Sequence, residues 1–600
     1  MFCALCRKHN VDLGESIHNF CSGTDDFKLE FINIHQNSEA HAWATCMEAA
    51  STASPNTVSA EQMLKSMNSV TIGRVESTFR TCHAIAKSGW PFTDPDWICK
   101  LDDAKGTDIG SVFRNDKSAR IFIHFMAEVE RKSLKEKLEN CKYFSLISDE
   151  FTDSIFKSAV VVYVRFANEG KVHCQIVGVQ PVQKNDASTI KSAIEETFQI
   201  NLQLSLASQD CSRKLVGFGS DGTGQNDGVA NLVREIQPCV QSVHCFAHRL
   251  RLAYKGALEN VQLYGILTSG LRNMYYFYHN SPLNKNNLKA IYEAIKLYPA
   301  IPFRIGGSQW LPRLQTALQI LLKGYPALVL HLNKIEGDSR TSNRQKVKGL
   351  LYLLLKIEVV KFSHFLLDVI NVLNILLRVT LDHNSSIADI FATLQSTVEI
   401  LQMYQTRAGP KERLIETVQY FHGHQLVGNG NISAVRTKVL SDLLKRLSDC
   451  FCDANQDVLK ATFIGSFKLW PDKMKQEFGE KEVSVLSKHY EAILEAASVK
   501  ISEVGTEWSM LKLELYNRFQ NIQTLTWDSV NAHYSKKYPN ILALVDLILT
   551  PPASSAETEQ GFSQMKFVMM HLHSKLMFEN VMTDLMTIQM NSPDIKKFDL

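Results

Sequence analysis

Two groups of residues in this 600-residue chain combine types and spacings that could do chemistry. Near the amino end, Cys3-x2-Cys6 is followed by His35-x5-His41. Two thiolates and two imidazoles are the donor set of a tetrahedral structural Zn²⁺ site, and metal binding orders segments too small to fold on a core of their own. The plain alternative is four unrelated residues in a loop. Farther along, Asp149 stands in Leu146-Ile147-Ser148-Asp149-Glu150 and Asp221 in Gly217-Phe218-Gly219-Ser220-Asp221-Gly222, each just past a run that reads as a strand. Two carboxylates with a third can hold two divalent cations about 3.5–4 Å apart, one activating a water or hydroxyl and one stabilising the leaving oxygen of a phosphodiester. The bland reading is that acids at strand ends cap loops, Asp-Gly being an ordinary turn dipeptide.

For the two aspartates to meet, the chain must first build a sheet. Lys142 to Ile147, Ala159 to Phe166 and Val172 to Val179 are short β-branched and aromatic runs between polar turns, which predicts three strands, the last two an antiparallel pair across Asn168-Glu169-Gly170. A helix from Ala187 to Gln199, a strand from Lys214 to Gly219, a helix from about Gly228 to Ile236 and a strand from Ser242 to His244 follow. This β-β-β-α-β-α-β order is that of the ribonuclease-H-like fold, in which the first and fourth strands are neighbours and would bring Asp149 to Asp221. From about 250 to 530 the apolar spacing is helical almost throughout, and a helix-rich tail runs from Ile541 to Met590. Residues 51 to about 135 are Ser/Thr-rich and read as helices and linker.

Composition narrows the class. With 45% hydrophobic residues and 65 Lys+Arg against 62 Asp+Glu, the chain buries a large core, and its length suits three to five domains. Disorder and collagen-like repeats are excluded. The apolar stretch from Leu350 to Leu381 carries Lys356, Glu358, Lys361, Asp368 and Arg378, too many charges for a spanning helix, so no membrane partner is expected. The first residues lack the apolar run of a secretory signal, so a reducing compartment is the default. There the 13 cysteines are thiols or metal ligands. Charge is unevenly placed: Arg249 to Lys361 holds 17 basic and 5 acidic residues, a net of +12, around Trp310 and Tyr275-Tyr276-Phe277-Tyr278. Cations with aromatics suit a DNA channel, whereas scattered Lys and Arg ordinarily mean a solvated surface, and adjacent aromatics ordinarily split between core and surface. Trp310 is the one aromatic assigned to DNA.

Together these stretches resemble the hAT superfamily of transposases. Ser148-Asp149-Glu150 with Thr152-Asp153, Gly219-Ser220-Asp221-Gly222 and Cys245-Phe246-Ala247-His248 resemble its core. Pro552-Ala553-Ser554-Ser555-Ala556-Glu557-Thr558-Glu559-Gln560-Gly561-Phe562-Ser563 resembles its Ser-rich Glu-Arg-x-Phe-Ser motif, and Leu585-Met586-Thr587-Ile588 the end of its dimerisation region. The resemblance implies a third carboxylate at Glu559, which completes an ancestral catalytic triad with Asp149 and Asp221 for strand cleavage and transfer with Mg²⁺ or Mn²⁺. It also implies that Cys3, Cys6, His35 and His41 form a TTF-type zinc finger, and that Cys245 and His248 are a structural signature, a buried thiol and a core histidine. The expected fold class is α+β or α/β, a ribonuclease-H-like core interrupted by a large all-helical insertion. The expected domains are a finger at 1–50, a helical linker at 51–135, the first part of the core at 136–255, the insertion at 256–530, and the last core helix with the dimerisation region at 531–600.

Departures from the family's pattern bear on activity. Its Arg-Trp is Gln309-Trp310 here, its Glu-Arg is Glu559-Gln560, and His571-Leu572-His573-Ser574-Lys575 stands where a further Arg is usual. Three missing guanidiniums beside a retained acidic triad point to DNA joining that has decayed. The expectation is therefore a domesticated transposase-like nuclear protein that binds DNA and associates with itself through its C-terminal region, acting on chromatin or transcription, with chromatin proteins as further partners. A live metal-dependent transposase or nuclease is the first alternative, and a protein-interaction scaffold or ligase adaptor the second. Residues 1–50 hold three basic and seven acidic side chains, which opposes a phosphate footprint for the finger itself.

Overall fold

A computed structural model describes residues 2–9, 20–21, 23–25, 28–52, 69–91, 95–110, 112–151, 158–220, 226–306, 310–337, 344–382, 385–451, 457–554, 556–571 and 581–599. They fall into two compact units, one of Met1–Lys135 with Ser563–Leu600 and one of Glu136–Phe562.

The smaller unit is helical. Its elements include α1 (Ala4–Lys8), α2 (Leu29–Gln36), α3 (Glu39–Thr52), α4 (Ser69–Ser88), α5 (Pro95–Ala104), α6 (Asp116–Asn140) and the C-terminal helix Val581–Asn591. In α6 the apolar residues Phe122, Ile123, Met126, Ala127 and Leu134 recur at helical spacing and are buried. The end of helix Val581–Asn591 is held by α4: Lys87 Nζ donates to the carbonyls of Ile588 (3.4 Å), Gln589 (2.9 Å) and Ser592 (2.5 Å). A cation on the last carbonyls satisfies acceptors that have no partner within the helix and complements its dipole. Gln589 Nε2 donates back to the Ala86 carbonyl at 2.7 Å, and the His83 ring lies flat on Phe598 at 3.9 Å. Leu585, Met586, Thr587 and Ile588 are all buried within their own chain.

The larger unit contains a five-stranded sheet of order β3-β2-β1-β4-β5, made of β1 (Phe144–Phe151), β2 (Ser158–Asn168), β3 (Lys171–Val182), β4 (Leu215–Ser220) and β5 (Gln241–His244). Helices α7 (Ala187–Leu202), α8 (Gln209–Ser212), α9 (Asn226–Ile236) and α10 (Phe246–Leu258) connect or follow the strands. β1 runs antiparallel to β2 and parallel to β4, pairing Leu146 with Phe218 and Ile147 with Gly219. The strand order and the neighbouring of the first and fourth strands match the sequence reading. One placement differs. Asp149 lies inside β1 and not past its end, because the long β2 keeps supplying partners: Asp149 pairs with Val161 and Glu150 with Val160. Cross-strand pairing thus carries β1 through residues whose polarity suggests a loop.

The β2–β3 hairpin turns through Glu169 (φ 53°) and Gly170 (φ 76°), the left-handed pair of a type I′ turn. Glycine is required at the second place, since a Cβ there would lie 2.4 Å from the Trp527 carbonyl. Asp546 of helix Pro539–Leu549 fastens this turn, accepting the amides of Glu169 (3.2 Å) and Gly170 (2.8 Å). Burial raises the Asp546 carboxyl to about 6. A folded-state value above the unfolded one, about 3.9, means the native state holds the proton more tightly, so its contribution is full below about pH 4 and is lost as pH rises towards 6, by up to ~3 kcal/mol. Asp546→Asn is expected to remove that slope. Denaturant unfolding at pH 4.5 and pH 7 checks it, and an unchanged difference between the two pH values in the variant would refute it.

Two hydrophobic cores organise the helices. One draws on side chains from Val243 to Leu459, with Ala553, and includes most of helix Ile357–Leu381; the other joins Tyr143, Ala167 and Val216 of the sheet region to side chains from Ala461 to Leu549. Helix Ile357–Leu381 is long and apolar enough to cross a membrane by composition, yet 72% of its most apolar window is buried in the protein, as in a core helix. The otherwise helical stretch also holds a small hairpin, β6 (Tyr420–Phe421) and β7 (His424–Gln425), which turns through His422 and Gly423 at positive φ.

Candidate metal centre and acidic site

The Cys/His group is assembled by three short helices of the smaller unit. Cys3 is the N-cap residue of α1 and Cys6 lies in its first turn, so the x2 spacing puts both sulfurs on one face. His35 ends α2 and His41 begins α3. Between the histidines the helices break at Asn37 and Ser38, and Ser38 closes the break, its hydroxyl donating to the His35 carbonyl at 2.7 Å and accepting the His41 amide at 3.2 Å. Phe20 stacks on His35 at 4.3 Å, and Cys3 N–H donates to the Phe20 carbonyl at 2.9 Å.

The donor atoms of Cys3, Cys6, His35 and His41 all lie within 4.8 Å of one another. Cys3 Sγ is 3.3 Å from His41 Nδ1, and Cys6 Sγ is 3.5 Å from His35 Nε2 and 3.8 Å from His41 Nδ1. Zn–S bonds of ~2.3 Å and Zn–N bonds of ~2.0 Å at tetrahedral angles put sulfur and nitrogen about 3.5 Å apart, so the four residues fit one zinc ion. Such a four-ligand site is closed and structural. Burial, and then the Cys3 sulfur, push the Cys6 thiol up to about 12, so metal binding must displace a proton held there. Cys21, which sequence reasoning passed over, donates its thiol to the Cys6 carbonyl at 3.2 Å. No spacing signal marks it.

The acidic site lies at the carboxyl ends of the parallel strands in the larger unit. Asp149 is buried; its Oδ1 accepts the Glu150 amide at 2.9 Å and its Oδ2 the Thr558 hydroxyl at 3.0 Å. Thr558 belongs to helix Ala556–His571, and Glu559 is the next residue, so that helix places its backbone beside Asp149. The approach depends on two glycines. A Cβ on Gly217 would lie 3.1 Å from Pro551 Cα and one on Gly219 2.7 Å from Pro552 Cγ, so only glycine lets the incoming chain cross β4 this closely. Of the three expected carboxylates the structure places that of Asp149; Asp221, like Thr152, Asp153, Gly222 and Gln309, lies outside the described residues, as does the Glu559 side chain. β4 ends at Ser220, whose carbonyl accepts the Cys245 amide at 2.8 Å. Cys245 is buried at the N-cap of α10, and His248 is half-buried in its first turn.

Two neighbours of this site were not singled out from the sequence. Thr558 orients Asp149 and carries no signal of its own. Glu557 is buried, with one carboxylate oxygen that meets no donor among the described residues, and it shares its surroundings with Tyr163, Arg165 and Cys174. Burial, and then Glu557, hold the Cys174 thiol well above its usual value. Arg165 could have been found, being the single charge in the apolar run Ala159 to Phe166; its guanidinium donates to the Ser385 carbonyl at 3.0 Å, as a buried cation requires. Trp310 opens helix Trp310–Lys323, half-buried, with its ring 4.7 Å from that of Tyr254. In the aromatic run Tyr278 is buried on His331 while Tyr276 is exposed, the split between core and surface expected of adjacent aromatics.

Residues 117–223 match the family model DUF4371, described as ZMYM1/FAM200, RNase-like domain. The matched stretch carries β1 to β4 and includes both Asp149 and Asp221.

Proposed function

We propose that this chain is a domesticated hAT transposase-like nuclear protein that binds DNA, associates with itself, and regulates chromatin or transcription. The observation that carries the reading is the buried Asp149 at the carboxyl end of β1, beside β4 in an RNase-like sheet, with the helix bearing Glu559 laid against it. Such an arrangement is inherited from a nuclease. The loss of the family's Arg partners at Gln309 and Gln560 favours a retired catalyst over a working one. The net +12 of Arg249 to Lys361 supports the binding half of the reading, while the zinc-fitting Cys/His group, in a stretch of seven acidic and three basic side chains, supports only the finger that the resemblance implies. If the acidic site still works, Asp149, Asp221 and Glu559 would hold Mg²⁺ or Mn²⁺, which would activate the attacking oxygen. Self-association rests on the resemblance of the C-terminal region, and with Leu585 to Ile588 buried in their own chain a second copy must meet other side chains there.

The test is DNA binding by the purified chain between 50 and 200 mM salt, beside incubation of labelled hairpin DNA with Mn²⁺. The expected result is binding that falls ~1000-fold across that range, as six or so phosphate contacts require, with no cut product. Products that vanish in Asp149→Ala would make the chain a live nuclease. Absence of DNA binding at low salt would leave the interaction-scaffold reading in its place.

A further inference from the structure

In the larger unit, helix Gln262–His279 and helix Arg344–Leu355 flank a groove of about 1030 Å³. Along the first helix and its C-cap, Ser269, Asn273, Tyr276 and Asn280 recur at intervals of three and four and so share one face, and all four are exposed. Lys346 and Gly349 line the opposite wall, above an apolar floor. Solvent-facing helix surfaces ordinarily carry charges. This one carries amide, hydroxyl and phenol groups, and among the described residues the side chains of Ser269, Asn273 and Asn280 are engaged by no hydrogen bond and Lys346 by no ion pair.

We propose that this groove holds an unpaired strand of nucleic acid. The proposal rests on the DNA-binding reading above and gives it a place. A side-chain amide offers a donor and an acceptor in one plane, the pattern that pairs with the free edge of a base. The exposed Tyr276 ring offers a face for stacking, and Lys346 a cation for phosphate. In a duplex the base faces stack on one another and are closed to the Tyr276 ring, so the occupant is single-stranded. Gly349, with Ser269 opposite, would also admit a helix from a second copy; the lining itself balances Glu259 against Lys346, and it is the net +12 of the stretch Arg249 to Lys361, which supplies every lining residue, that favours a polyanion.

The experiment is fluorescence anisotropy of the full chain with labelled mixed-sequence DNA strands, RNA strands and duplex, for wild type, Tyr276→Ala and Gly349→Leu. A Cβ at Gly349 meets nothing within 4 Å and leucine favours a helix, so that variant keeps the fold while narrowing the groove. Both variants are expected to weaken single-strand binding by about tenfold or more and leave duplex binding unchanged. The DNA and RNA arms show which strand the groove prefers. If wild type binds no nucleic acid at all, the DNA-binding reading and the groove proposal fall together. If it binds and both variants bind equally well, the groove proposal alone is overturned. Variants that change the sedimenting mass while leaving single-strand affinity intact would give the groove to a second copy and equally overturn it.

Discussion

Chelation of zinc, or Cys6→Ser, is expected to unfold the amino-terminal Cys/His segment while the larger unit keeps its own melting transition. Among the described residues the segment's core is small: Cys6 and Ala44 are the buried members of its cluster, with Leu5, Trp43 and Met47 packed partly against them, and Phe20 is buried on His35. α1 has 5 residues and α2 has 8, and helices that short are marginal in water without tertiary support. A tetrahedral zinc supplies ~10–16 kcal/mol to such segments, far more than a few half-buried side chains can. Metal analysis should give one zinc per chain in wild type, and limited proteolysis with and without chelator should show new cuts between residues 3 and 52 only after zinc is removed. Equal protection in a zinc-free chain would refute the assignment. Cys21→Ser is the control, since its thiol donates to a carbonyl and belongs to none of the four ligands.

The second large effect is expected at Asp584, in the C-terminal helix of the smaller unit. Its carboxylate receives the Arg131 guanidinium of α6, and His124 Nδ1 lies 2.9 Å from its other oxygen; the Arg131 and Asp584 side chains are each only 6% exposed. Removing one member of a buried ion pair strands the other, which costs about 3–5 kcal/mol, whereas replacing both with apolar groups of similar size is close to neutral. Asp584→Ala is therefore expected to destabilise the smaller unit by roughly 3 kcal/mol, at the lower end because Arg131 keeps the exposed Glu128 at 2.6 Å. Arg131→Met with Asp584→Leu is expected to recover most of the loss. Thermal unfolding of the four members of this cycle measures the coupling. A double variant whose loss equals the sum of the losses of Arg131→Met and Asp584→Leu taken singly would show no coupling and refute the assignment.

That ion pair also bears on the C-terminal region as a whole. Four hundred and fifty-three residues separate Arg131 from Asp584, and nothing in either local stretch announces the other. Leu585 to Ile588 read in isolation as an apolar run fit to meet a second chain. In the structure those side chains are buried against α4 and its neighbours, with Lys87 and His83 closing the end. An apolar helix face says that it will be covered, and only the folded chain says by what.

The strands and their order were open to reading from the residues alone, because β-branched runs such as Val160-Val161-Val162 between turn residues carry their own period, and the order of elements restricts how they can be laid side by side. The Cys3-x2-Cys6 and His35-x5-His41 spacings were legible for a similar reason: ligand chemistry demands particular residue types close together in the chain. The tertiary structure decided the rest. It carried β1 through Asp149 by pairing it with β2, set the Thr558 hydroxyl on that carboxylate from 409 residues away, and closed the β2–β3 turn on Asp546. Each of these is a contact between groups whose local sequences favour nothing in particular. Local pattern determines which faces must be buried and which polar groups must be satisfied, while the choice of partner is settled only when distant segments pack and each buried donor or acceptor takes the nearest group that fits.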